Sequence, residues 1–261
     1  MKKLSSKIMK KFKGQTPSKG KFPPLTDRDV FLVSYPRSGN TWVRFLIANL
    51  LKPEGIEIDF HNVQEYVPEI NRNNDIIESL PSPRVIKSHA LYKTAFPKVI
   101  YLVRDGRDVY VSYFYYRLKQ LEEGTSFSEY IRRKDHFPSL WNEHVESWLT
   151  WDHAQPNLLL VRYEDLLSKP EVELRKIANF IGIQRSDEVI SNAVEVSRFD
   201  KMREIDQTKG RKYNLTGTKD FVRKGKAGTW QEEFSREDIE FFKENAGDLL
   251  IRLGYESDLD W

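Results

Sequence analysis

Short apolar runs, each closed by polar or basic residues and a turn, recur along the chain, and between them apolar residues fall at helical spacing. Val30 to Val33 is the first such run and is rich in β-formers, which predicts a strand buried on both faces of a parallel sheet. Pro36 ends it and Gly39 permits a tight turn. Trp42, Val43, Phe45, Leu46, Ile47, Leu50 and Leu51 then fill one broad face of a helix that packs back on the sheet. Arg84 to His89 predicts a second strand, Lys98 to Arg104 a third that runs directly into a helix, and Asn157 to Tyr163 a further buried strand.

Between these runs the punctuation is equally regular. Residues 52 to 83 read as irregular or partly helical, broken by Pro53, Gly55, Pro68, Pro81 and Pro83. Ser126 and Glu129 have capping-box spacing, and a helix is predicted from Leu140 to Trp151. Pro170 at a first helical position and Gly182 just past the end bracket another helix. Ser186 caps the next, and Ser235, with Asp238 three residues on, caps a last one ending near Gly254. Polar residues 203 to 222, with Gly210 and Gly217, predict a mobile loop or lid. Strands alternating with helices predict an α/β fold: a single domain with a central parallel β-sheet flanked by helices.

Length agrees with one large domain, since 261 residues without a visible repeat bury a sizeable core. The sequence has no Cys, which excludes a disulfide framework and thiolate chemistry, and no apolar run approaches a membrane span. The net charge of +3 hides an asymmetry. Residues 1 to 21 hold eight Lys and no acid, leaving 34 basic against 39 acidic residues elsewhere, a balance of −5. The domain is therefore expected over residues 22 to 261, preceded by a solvated, disordered basic tail. That tail has the charge for weak contact with an anionic membrane or nucleic acid, without stable membrane insertion. It lacks the apolar core of a signal peptide, so a cytoplasmic protein is expected.

The candidate chemistry lies at the strand ends. In Pro36-Arg-Ser-Gly-Asn-Thr41 the first N–H groups of the following helix have no intrahelical partners and converge, with the positive end of its dipole, on any anion in the loop. Arg37 adds a permanent charge. The loop is not a Walker A sequence, because Asn40 and Thr41 follow Gly39 where a nucleotide triphosphatase needs Lys and Ser or Thr. Taken alone it also reads as an ordinary strand-turn-helix. Lys87 and His89 fall on one side of their strand by alternation, at the carboxyl end where open α/β sheets bind ligands. Arg104 and Ser112 can reach a second phosphate, the Arg as a bidentate fork; alternatively Arg104 and Arg107 pair with Asp105 and Asp108 on a solvated turn. Arg223 and Lys224 followed by Gly225 make an anion clamp that backbone can approach closely. His136, His144, Trp141, Trp148 and Trp151 read either as an aromatic acceptor pocket or as core. No His/Asp/Glu grouping has metal-ligand spacing, so no metal site is inferred.

The motifs YPRSGNTW, KSH, YLVRDGRDVYVSYFYY, RYEDL and FVRKGKAGTW follow one another in the order and approximate spacing of the cytosolic-type sulfotransferases, which use 3′-phosphoadenosine 5′-phosphosulfate (PAPS). The chain resembles that family over most of residues 29 to 232, and the resemblance implies a P-loop-like nucleotide-binding fold. The resemblance implies that Arg37, Ser38, Gly39, Asn40, Thr41 and Trp42 hold the 5′-phosphosulfate, with Trp42 also beside the adenine. It implies that Arg104, Ser112, Arg223, Lys224 and Gly225 bind the 3′-phosphate, and that Tyr163, Ser197, Phe199 and Met202 contact the adenosine. His89 is implied as catalytic base and Lys87 as a supporting cation.

One departure stands out: many members carry Lys where this loop has Arg37. Arg keeps the charge and adds a planar fork, so stabilisation of the leaving group survives with altered geometry. Arg-containing loops also occur among related carbohydrate sulfotransferases. The expectation is sulfuryl transfer from PAPS to a hydroxyl acceptor, a small phenol or alcohol before a sugar, leaving 3′,5′-diphosphoadenosine (PAP) and needing neither metal nor nucleic acid. A P-loop nucleotide kinase and a non-catalytic nucleotide-binding protein are the rival readings.

Overall fold

A computed structural model of the chain describes residues 24–149, 157–210 and 225–261. The four apolar runs form a parallel sheet: β1 (Val30–Ser34), β2 (Val85–Ser88), β3 (Lys98–Val103) and β4 (Leu158–Arg162), in the order β2-β1-β3-β4. Ser34 at the end of β1 lies opposite Leu102 of β3, and Val33 opposite Ser88 of β2, so three strand ends open at one edge of the sheet. The chain goes from β1 to a neighbour on one side and then crosses to the other side. The crevice left between the carboxyl ends of β1 and β3 is the topological switch point.

Successive side chains of each strand point to opposite faces, and the core splits accordingly. Phe31, Val33, Ile86, Tyr101 and Val103 pack on one side with α4 (Gly106–Arg117), α6 (Trp141–Leu149) and α11 (Arg236–Arg252). Val30, Leu32, Val85, Ile100 and Leu102 pack on the other with α1 (Asn40–Leu51), α8 (Pro170–Ile181) and α9 (Asp187–Val196). In between run α2 (Val63–Tyr66), α3 (Asn74–Ser79), α5 (Phe127–Ile131), α7 (Tyr163–Ser168) and α10 (Phe199–Thr208). The helix signals hold locally: Pro170 opens α8, Gly182 closes it with φ 89°, and Ser126 and Ser235 form the capping boxes of α5 and α11.

Two expectations need correction. Residues 203–208 belong to α10 rather than to a polar loop, because Met202 is buried and Ile205 partly so, and these two give that turn an apolar anchor; residues 211–222 lie outside the described residues. Strand β4 is not fully buried: it sits at the edge of the sheet and Leu160 is 37 % exposed. Of the two readings of the aromatic residues, the core one holds on α6, with Trp141, His144 and Trp148 all but inaccessible; Trp151 lies outside the described residues. The basic tail, residues 1–21, lies there too.

Candidate functional site

The site grows from the β1–α1 turn. Gly39 takes the N-cap position of α1 at φ 96°, and no side chain caps the helix, so the first N–H groups stay directed at the loop. A Cβ on Gly39 would come within 2.6 Å of Tyr163, so glycine here serves both the left-handed turn and the close approach of an aromatic ring. Arg37 also has positive φ, 72°, a strained conformation for a residue with a Cβ. Its Nε donates to Ser112 Oγ at 3.1 Å and its guanidinium lies 4.6 Å from the centre of the Tyr116 ring. Ser38 is fully buried, and its Oγ has no partner among the described residues. Asn40 Nδ2 lies 3.0 Å from Ser34 Oγ; a hydroxyl serves either amide atom, so the other can face the loop.

Arg104 follows β3 and joins this loop to two more elements. Its guanidinium donates to the Arg37 carbonyl at 3.3 Å and to the Lys226 carbonyl at 3.0 Å, and it lies 4.7 Å from the Tyr163 ring centre. Arg104 Nε is buried without a partner among the described residues. The alternative pairing of the arginines with acids is also realised, but in the interior rather than on a solvated turn. Arg107 and Asp105 meet at 2.7 Å, and Arg104 and Asp108 at 3.5 Å. Burial pushes the Asp105 carboxyl up from its ordinary value, against the pull of Arg107.

Around Arg104 the structure brings together Trp42, Tyr163 and Gly39, with Trp42 and Tyr163 edge to face at 5.6 Å. Gly225, at φ 61°, leaves no room for a Cβ, which would lie 2.2 Å from the Phe199 ring. Met202 packs in the α1 core, and Ser197 Oγ accepts from Asn49 on α1 at 3.2 Å. Arg223 and Lys224 lie outside the described residues, and Thr41 occupies the first turn of α1.

His89 lies one residue past β2, not within it. Its Nδ1 is 2.6 Å from the Ser34 carbonyl oxygen, which only accepts, so Nδ1 carries the proton and Nε2 keeps the lone pair. Burial, and next the charge of Lys87, lower its pKa to about 3. The loop behind it is fixed from α6: Trp148 Nε1 donates to the Ala90 carbonyl at 3.1 Å and the Tyr92 N–H to Ser147 Oγ at 3.2 Å. Lys87 meets Glu69 at 3.2 Å, while the backbones of the two residues pair as a short extension of the sheet. Burial lowers Lys87 to about 8 and Glu69 holds it up; Lys87 and Arg72 in turn take Glu69 down to about 2, against its own burial.

Sequence reasoning missed Glu69, Tyr116 and the use made of Asp108. Their only signal was position: a carboxylate two elements upstream, a tyrosine one turn beyond Ser112, and an acid read only as an ion-pair partner. Among the described residues no group of three or more His, Asp or Glu side chains is placed to hold a metal ion, and no helix is long and apolar enough to cross a membrane.

Chemically, the crevice offers two cations, a helix N-terminus and a buried hydroxyl and guanidinium nitrogen with hydrogen-bonding capacity to spare, beside an imidazole with a free lone pair. That donor set fits a ligand carrying two anionic groups, one at the β1–α1 turn and one at Arg104.

The protein-family model described as "Sulfotransferase domain" matches residues 27–254. Sulfotransferase 1B1 of the dog, Canis lupus familiaris, is 30 % identical over 252 residues, covering 85 % of both chains. Sulfotransferase 1 family member D1 of the mouse, Mus musculus, is 28 % identical over 242 residues, covering 83 % of this chain and 81 % of its own. Among solved structures, mouse sulfotransferase SULT7A1 complexed with PAP superposes with a TM-score of 0.69 at 23 % identity, covering 87 % of this chain and 85 % of that one. A retinol dehydratase in complex with androsterone and inactive cofactor PAP gives 0.66 at 24 % identity, covering 87 % and 82 %. At these identities the structures speak for a shared fold.

Proposed function

The chain belongs to the sulfotransferase-domain family, and from that premise we propose that it transfers a sulfuryl group from PAPS to a hydroxyl acceptor, a small phenol or alcohol, with His89 as the base. The observation that carries this reading is the hydrogen bond from His89 Nδ1 to the Ser34 carbonyl. It ties the candidate base to the strand that feeds the phosphate loop and leaves Nε2 as acceptor for a hydroxyl proton.

PAPS, when bound, supplies the activated sulfuryl group. The chain's own residues do the rest. The α1 N-terminus, Ser38 and Arg37 hold the 5′ end, and Arg104 with Ser112 holds the 3′-phosphate. Tyr163, Trp42 and the Phe199–Gly225 contact enclose the adenosine. Arg223 and Lys224, directly before Gly225 in sequence, add charge at the 3′-phosphate. His89 takes the acceptor proton while Arg37, Lys87 and the helix N-terminus stabilise charge on the sulfuryl oxygens and the leaving group. Positioning and electrostatics carry most of the catalysis, as in phosphoryl transfer. The imidazole is uncharged at neutral pH and so keeps the Nε2 lone pair, and the Glu69 carboxylate acts against the depression caused by burial and Lys87.

The test is transfer of labelled sulfur from PAPS to a panel of phenols, alcohols and sugars, by wild type and by His89→Ala. The variant is expected to lose about 10²–10⁴-fold in kcat and to keep PAP affinity, the signature of a lost general base. A near-normal rate in His89→Ala removes His89 from the mechanism. Label passing only to sugars moves the acceptor class to carbohydrate.

A further inference from the structure

Asp108 is out of place for an anion site. A carboxylate with a fully buried side chain stands 3.5 Å from Arg104, the guanidinium assigned above to the 3′-phosphate, and so opposes the charge that site needs. Its position on the helix accounts for a carboxylate here only in part. Asp108 lies in the first turn of α4, where the helix dipole favours an anion, but Asp105 already caps that helix through the Arg107 N–H. Both Asp108 oxygens are therefore free to act elsewhere.

They act on the turn that follows Gly225. Oδ2 accepts the Gly228 N–H at 2.8 Å, and Oδ1 accepts the Thr229 hydroxyl and the Trp230 N–H, each at 3.0 Å. Three donors from three successive residues converge on one carboxylate, a charge-assisted set that neutral side chains do not match. The same turn comes back to Arg104 through the Lys226 carbonyl at 3.0 Å, and Gly225 closes on Phe199. Asp108 thus sits at the hub of a ring: α4, Arg104, Lys226, then Gly228 to Trp230, and back to α4. The longer Arg104 contact, beside the three shorter ones to the turn, leaves the guanidinium less neutralised than a tight ion pair would, with Nε without a partner among the described residues.

We propose that Asp108 is a positioning residue for the donor: it docks the 225–230 turn onto Arg104 and thereby sets recognition of the 3′-phosphate. This rests on the donor reading given above. Loss of the carboxylate should leave the 5′ loop, the Trp42–Tyr163 pair and His89 in place while freeing the turn that closes the 3′ side.

The experiment compares calorimetric affinities of the full chain for PAP and for AMP, which lacks the 3′-phosphate, in wild type, Asp108→Asn and Thr229→Val. Asp108→Asn sets an amide N–H against N–H donors. It is expected to weaken PAP by about 10- to 100-fold, the range for a broken hydrogen bond to a charged group, while AMP affinity holds. Thr229→Val keeps the shape but removes one donor, and a smaller loss confined to PAP is expected; this variant decides the matter if Asp108→Asn does not fold. The proposal is overturned if either folded variant keeps the wild-type preference for PAP over AMP, or if both ligands weaken equally, as a general structural role requires. A wild type that binds PAP no better than AMP overturns the donor reading itself, and this proposal with it.

Discussion

At Gly39 two demands meet on a single Cα. The turn needs φ near 96°, where an L side chain costs about 1–2 kcal/mol, and the Tyr163 ring lies where a Cβ would be. Arg37, two residues earlier, accepts a similar backbone strain and in return is held by Ser112 and Tyr116 at the mouth of the loop. Gly39→Ala is therefore expected to displace Tyr163 and to weaken PAP binding by more than about tenfold, given the strain and the lost alignment of N–H groups. Calorimetry on a variant whose melting curve stays cooperative measures this. Unchanged affinity would show that the loop tolerates a different turn and that its geometry does not set donor binding. At the same scale Lys87 and Glu69 show how a buried pair holds its charges: each offsets the burial of the other, and Lys87 stays cationic at neutral pH with a value near 8.

Elements were the most legible level of the chain. Continuous runs such as VFLV and KVIYLV lie in parallel strands because nothing polar interrupts them, and β1 is buried along its whole length. Caps were legible for the same reason, being local: Ser126 with Glu129 and Ser235 with Asp238 satisfy helix N–H groups within three residues. What escaped was tertiary. The polarity of residues 203–208 suggested a loop, but Met202 and Ile205 suffice to dock that turn as helix. The edge position of β4 depends on strand order, which periodicity does not encode. In the site, Gly39, Ser38 and Arg37 were readable because a strand, a turn and a helix fall together in one stretch. Glu69 and the role of Asp108 were not, because their partners lie 18 and about 120 residues away along the chain. A carboxylate near a basic residue reads as an ion pair; only three dimensions show that Asp108 holds a turn instead.

Over the whole molecule, the switch point between β1 and β3 gathers the β1–α1 loop, Arg104 and His89 at one edge, and the two cores hold that edge from both faces. The cost of building it appears as acid sensitivity. Three imidazoles stay neutral inside: burial takes His89 to about 3 and both His136 and His144 to about 4. Below the ordinary histidine value near 6.5 the unfolded chain takes up protons that the folded chain refuses, so stability falls as pH drops from about 6.5 to 4. Glu69, held near 2, extends the loss below the ordinary glutamate range, while buried Asp105 and Glu164, whose values are raised, act in the opposite sense. Denaturant midpoints measured from pH 7.5 to 4 should decline steadily; a flat profile would mean that these histidines are protonated in the folded state. The central claim, a crevice built for a nucleotide with phosphate at both its 3′ and 5′ positions, is tested most directly by calorimetric titration of the wild-type chain with PAP beside AMP and Mg·ATP. The account predicts PAP binding at about micromolar or tighter, with AMP and Mg·ATP at least about tenfold weaker, a difference of about 1.4 kcal/mol. Mg·ATP binding as tightly as PAP would contradict it and return the fold to the nucleotide kinases.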